Sequence, residues 1–111
     1  DYFFPLHVTP EKRVTALTEF GGDSLQIPKH SMYEKKVYGY KKFKRKRELT
    51  AGYEKLIKKL IIPNISRGLS ATVYTQLSDI EEEVNGILSY DRKIVKIDEN
   101  VVREWNEKLH F

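Results

Sequence analysis

In the run Leu17-Thr18-Glu19-Phe20-Gly21-Gly22 a carboxylate closes a strand-like stretch and two glycines follow at once. Barrel enzymes present a catalytic acid in this way, at the carboxyl end of a strand where a loop begins. A second such end is Leu69 to Gln76, where Leu69, Ala71, Val73 and Thr75 alternate with Ser70, Thr72, Tyr74 and Gln76. Tyr74 and Gln76 share one face of that strand and could border a ligand, Tyr74 by stacking its ring on apolar ligand surface. Asp79, Glu81, Glu82 and Glu83 follow it. Clustered carboxylates suit hard cations, but three successive glutamates more often form a solvated edge, which leaves Asp79 as a supporting residue. Asp91-Arg92 reads as a structural ion pair. His7, His30 and His110 lie far apart without paired metal-ligand spacing, and there is no cysteine, so no metal site and no cofactor are expected. The chain carries no phosphate-cradling glycine loop and no Gly-x-Ser-x-Gly elbow.

A net charge of +4 hides an uneven distribution: residues 29 to 59 hold 12 basic and 3 acidic side chains, and the remainder sums to −5. Lys41-Lys42-Phe43-Lys44-Arg45-Lys46-Arg47, preceded by Tyr38 and Tyr40, combines phosphate-pairing charge with stacking rings. A basic nucleic-acid-binding domain using residues 35 to 47 is therefore the alternative reading. The plainer one places these residues on the lead-in to an outer helix, with charged heads in water and stems over apolar surface, and expects no nucleic-acid partner.

The elements that would position these groups follow from periodicity. Arg13 to Phe20 is rich in β-branched and apolar residues and ends at Gly21-Gly22, which predicts a buried strand. From Asp23 to about Tyr40 no period is sustained, which predicts a long loop carrying Asp23, Gln26, His30 and Ser31 towards any ligand. Leu49, Tyr53, Leu56, Ile57, Leu60 and Ile61 recur at spacings of three and four, the stripe of an amphipathic helix. Gly52 weakens that helix by about 1 kcal/mol relative to alanine, and Pro63 should kink or end it before Gly68. Asp98 can cap a last helix in which Val101, Trp105 and Leu109 fall four apart. Strand, helix, strand, helix, with long loops after both strands, is the pattern of two successive parallel βα units whose strands are buried on both faces.

With Leu69 to Gln76 and Glu83-Val84-Asn85-Gly86-Ile87-Leu88-Ser89-Tyr90-Asp91-Arg92-Lys93, the Glu19 motif resembles the last part of the catalytic barrel of a family 2 glycoside hydrolase, the family of β-galactosidases and β-glucuronidases. The resemblance covers most of the chain. It implies an α/β fold: a fragment of a (β/α)8 TIM barrel, the last two strand-helix units, with residues 1 to 111 as the C-terminal portion of the catalytic domain. It implies carbohydrate metabolism and a retaining β-glycosidase with Glu19 as nucleophile, and Tyr74, Gln76 and His30 at the substrate. Such enzymes oppose nucleophile and acid/base across roughly 5 Å. No Asn-Glu pair that could supply the acid/base stands at a strand end, since Asn106-Glu107 falls within the last helix. The isolated piece is therefore expected to be inactive. The Asn-x-Lys carboxylate clamp of glucuronidases is not evident at Asn85-Gly86-Ile87.

The implied partners are a β-glycoside, the rest of the parent barrel and, for the piece alone, further copies of itself along open strand edges. One small domain is all that 111 residues allow. Tyr2-Phe3-Phe4-Pro5-Leu6 lacks the basic front and long apolar run of a signal peptide, and the chain reads as an excised piece. No run approaches the roughly 18 apolar residues of a membrane span, so no membrane partner is expected. The absence of cysteine favours the cytoplasm mildly.

Overall fold

The computed structural model describes residues 13–111. Thr15–Gly21 (β1) and Leu69–Thr75 (β4) pair in parallel, while Ser24–Leu25 (β2) and Lys42–Phe43 (β3) form a separate parallel pair. Between β3 and β4 runs one helical stretch in three segments: α1 (Lys46–Leu56), a π-helical turn (Ile57–Ile61) and α2 (Ile62–Ile65). A short α3 (Glu99–Asn106) closes the order.

The apolar stripe read from the sequence is what joins these elements. Tyr53, Ile57 and Ile61 from the helical stretch pack with Phe20, Leu69 and Ile97 in one buried cluster, flanked by Leu17, Tyr74, Val102 and Trp105. Tyr74 stands edge-on to Phe20 at 5.3 Å and to Tyr53 at 5.4 Å between ring centroids. Pro63 does not end the helix. Proline has no N–H to offer the preceding turn, and the widened turn at Ile57–Ile61 comes immediately before it, so that helical backbone continues to Ile65.

The register of β1 on β4 is broken twice. Leu17 lies opposite Thr72 and Phe20 opposite Tyr74, so β1 spends one residue more than its partner at Thr18-Glu19, which is a β-bulge. The bulge lets Leu17 and Phe20, three residues apart, both reach the helix-side core. An unbroken strand with period two would send them to opposite faces.

Three expectations are overturned. Among the described residues the parallel sheets stop at two strands each and no barrel closes, so the chain is not a (β/α)8 TIM-barrel fragment. The resemblance to a family 2 glycoside hydrolase falls with it, because that family's catalysis is built on the closed barrel. Nor are the strands buried on both faces: Val73 is 58% exposed, and Ala16 and Ala71 on the face away from the helices are also exposed. The apolar segment at residues 2 to 6, His7, and any edge strand from residues 1 to 8 lie outside the described residues.

Candidate functional site

Gly21-Gly22 marks the carboxyl end of β1, and both glycines hold positive φ, +103° and +77°. Each also lies under a ring. A Cβ on Gly21 would stand 2.5 Å from Tyr74 Cε2, and one on Gly22 would stand 2.3 Å from Tyr40 Cδ2. The pair is therefore required twice over, by backbone conformation and by the aromatic neighbours. Tyr40 N donates to Gly22 O at 3.0 Å and Gly22 N to Thr75 O at 2.9 Å, so the ends of β1 and β4 and the strand-like approach to β3 meet here.

Gln76 follows β4 directly, across a cis Thr75–Gln76 peptide bond. Its Nε2 donates to Glu83 Oε2 at 3.0 Å and to Asn85 Oδ1 at 2.6 Å. Its backbone is held as well, by Gln76 N donating to Asn85 O at 3.3 Å and Ile87 N donating to Gln76 O at 3.0 Å. With both amide hydrogens committed, what Gln76 can offer a ligand is its Oε1.

Behind this set lies a fully buried ion pair. Lys96 Nζ donates to Asp79 Oδ1 at 2.6 Å and to Val84 O at 2.9 Å, and Gly86 N donates to the same Asp79 oxygen at 2.8 Å. The side chains are 0% and 2% exposed. Burial raises the Asp79 carboxyl above its ordinary range, opposed by the Lys96 hydrogen bond and charge and by Gly86 N. Burial also lowers Lys96, opposed by Asp79. Asp79 Oδ2 is buried without a hydrogen-bond partner.

The residues expected at a site are not gathered as a set. Glu19 is exposed in the bulge, two residues short of the end of β1 rather than at its mouth. Gln76 stands at the corresponding end of β4. Tyr74 is a core residue: burial, then the nearby charges of Asp23 and Tyr53, drive its hydroxyl far above the ordinary range, and its ring is enclosed by Phe20 and Tyr53. His30 is turned to Asp91, Nδ1 to Oδ2 at 2.7 Å, in the loop after β4. That contact also replaces the expected Asp91–Arg92 pair.

The other residues of the loop after β1 serve the loop itself or are buried. Gln26 donates to the carbonyls of Tyr33 and Glu34, and Ser31 Oγ donates to Ile27 O. Asp23 is buried, and that burial raises its carboxyl against the opposing charge and backbone hydrogen bond of Lys41.

The structure brings Tyr40 over Gly22, and Glu83 and Asn85 to Gln76. Glu83 was concealed in a run of three glutamates; it accepts from Gln76, whereas Glu82 pairs with Lys36. Among the described residues no group of three or more His, Cys, Asp or Glu could hold a metal ion. No helix among them is long and apolar enough to cross a membrane.

No protein-family model matches this chain, and no curated protein does. The family 2 assignment thus has neither the fold nor a sequence match behind it. Without the barrel there is no frame to set an acid/base opposite Glu19, and the assignment as a retaining β-glycosidase is withdrawn.

Proposed function

We propose that the chain is a binding module for a neutral carbohydrate, without bond cleavage, and that its ligand lies at the carboxyl ends of β1 and β4. The observation that carries this is the Gln76 amide held between Glu83 and Asn85 at the end of β4, beside the Gly21-Gly22 end of β1. Ligands of open parallel sheets bind outside the carboxyl ends of the strands. A sugar hydroxyl can donate to an acceptor, and Gln76 Oε1 and the Glu83 carboxylate are acceptors held in fixed planes. Tyr40, 42% exposed over Gly22, supplies an aromatic surface next to them. Glu83 places a carboxylate beside Gln76, which favours a neutral sugar over a uronic acid or a phosphate ester.

The basic segment at residues 35 to 47 is not called on for this reading. Lys41 lies over the Phe43 ring at 4.9 Å, and Glu48 Oε2 accepts from Lys44 N at 3.0 Å, so part of the segment is engaged within the chain. Binding to single-stranded RNA or DNA is expected to be weak, indifferent to sequence and lost steeply as salt rises, because counterion release would be its only source.

The test is an NMR titration of the ¹⁵N-labelled chain with methyl β-galactoside, methyl β-mannoside and methyl β-glucuronide. Shifts should concentrate at Gly22, Tyr40, Gln76 and Glu83 with the neutral sugars and be weaker with the glucuronide. Gln76→Ala should abolish them. Shifts absent at these positions, or a salt-resistant complex with one defined nucleic acid, would overturn the reading.

A further inference from the structure

Asn85 is the residue on which the Gln76 set depends, and its backbone is gripped on both sides. Before it, Val84 O accepts from Lys96 Nζ and from Leu25 N; after it, Gly86 N donates to Asp79 Oδ1. Asp79 and Lys96 meet at 2.6 Å, so a single buried ion pair fixes residues 84 and 86 and leaves Asn85 between them facing Gln76. Lys96 N also donates to Ile87 O at 2.8 Å, which extends the grip by one residue. Gly86 shows how closely the segment is held. A Cβ there would stand 2.2 Å from Asp79 N and 2.3 Å from Ser78 C, both backbone atoms that cannot swing aside.

We infer that Asp79 and Lys96 are positioning residues: their buried pair presents Asn85, and through it the Gln76 amide, to the ligand. This deepens the carbohydrate-binding reading and rests on it for the ligand, while the positioning of the two amides is measurable without one. Loss of Lys96 leaves Val84 O held by Leu25 N alone and leaves Asp79 buried with Gly86 N as its donor. The segment then shifts to bring water to the carboxylate, and Asn85 moves with it.

The experiment uses the full chain and reads the Gln76 and Asn85 side-chain amide signals and their exchange with water, with and without methyl β-galactoside. Lys96→Met should move both amide pairs towards solvent-exposed shifts and speed their exchange, while core signals from Tyr53 and Ile57 persist. Affinity for the glycoside should fall at least about tenfold, the loss typical when the support of a binding residue is removed. The double variant Asp79→Leu, Lys96→Met removes the unpaired charge, recovers stability and keeps the chain folded even where Lys96→Met does not. It still cannot bond Val84 O or Gly86 N, so its amides should remain displaced. Amides that return to their wild-type signature in the double variant would overturn the inference. A wild-type chain that binds no glycoside would overturn the functional reading instead, with the amide signature still deciding the positioning.

Discussion

The residue that decides most in this molecule is Lys96, fully enclosed and bonded to Asp79. Removing one member of a buried pair strands a charge, at a cost of about 3–5 kcal/mol, whereas replacing both by apolar groups of similar volume is often neutral or better. Lys96→Met alone is therefore expected to lower unfolding free energy by that amount in urea titration, and Asp79→Leu with Lys96→Met to return most of it. Asp91 behaves oppositely. A hydrogen bond from Ser89 Oγ, then one from His30, then one from Lys93 N, lower its carboxyl from 3.8 to about 2. A depressed acid stabilises the fold fully above its unfolded value and ceases to do so as pH falls through the folded one. Acid unfolding of Asp91→Asn should therefore be flatter than wild type between pH 4 and 2, with no difference in slope near neutrality; equal slopes in the acid range would count against the contact. Neither pair was legible in the sequence. Asp79 and Lys96 are seventeen positions apart, His30 and Asp91 sixty-one, and no local pattern marks which charged residue a fold will enclose.

At the scale of elements, local chemistry was legible wherever it was sufficient. Asp98 caps α3 as its position before an apolar period suggests, its Oδ1 accepting from Asn100 N at 2.9 Å. Asp98→Ala should cost about 1 kcal/mol, seen as a lowered midpoint in thermal unfolding, because α3 has only eight residues to share the loss. Tyr53 Oη donates to Asn106 Oδ1 at 2.6 Å and ties α1 to the other end of α3, so fraying at the cap should leave that end docked. The helix stripe from Leu49 to Ile61 was legible for the same reason, being a repeat that a few turns impose on themselves. The bulge at Thr18-Glu19 was not, because it is a mismatch between two strands some fifty residues apart. Glu19 lies in it rather than at the strand's mouth, because β1 runs on to Gly21. The alternation in Leu69 to Thr75 was real as a pattern but misleading as burial: Leu69 is enclosed, Ala71 and Val73 are exposed, and Tyr74 faces the core.

At the scale of the whole molecule, the error in the sequence reading and the last prediction share one cause. Short strings such as Glu19-Phe20-Gly21-Gly22 specify a parallel βα unit, and β1, the helical stretch and β4 have that order; closure into a barrel depends on strands that no such string contains. What remains among the described residues is a two-stranded parallel sheet with the helical stretch on one face and nothing on the other. Parallel sheets are ordinarily covered on both faces, and unpaired strand edges recruit other strands. Val14 at 79% and Val73 at 58% exposure lie on this uncovered part of the molecule, whereas Leu17 and Leu69 are already engaged in the core and cannot contribute to an interface. The chain is accordingly expected to self-associate through the uncovered face of β1 and β4, where Val14 and Val73 lie. Light scattering over a hundredfold dilution should report a mass that falls towards the monomer. Val14→Lys and Val73→Lys should shift it to monomer at every concentration with little change in unfolding free energy, since both side chains are in water in the single copy. A monodisperse monomer throughout the dilution series would show that the open face is tolerated without a partner.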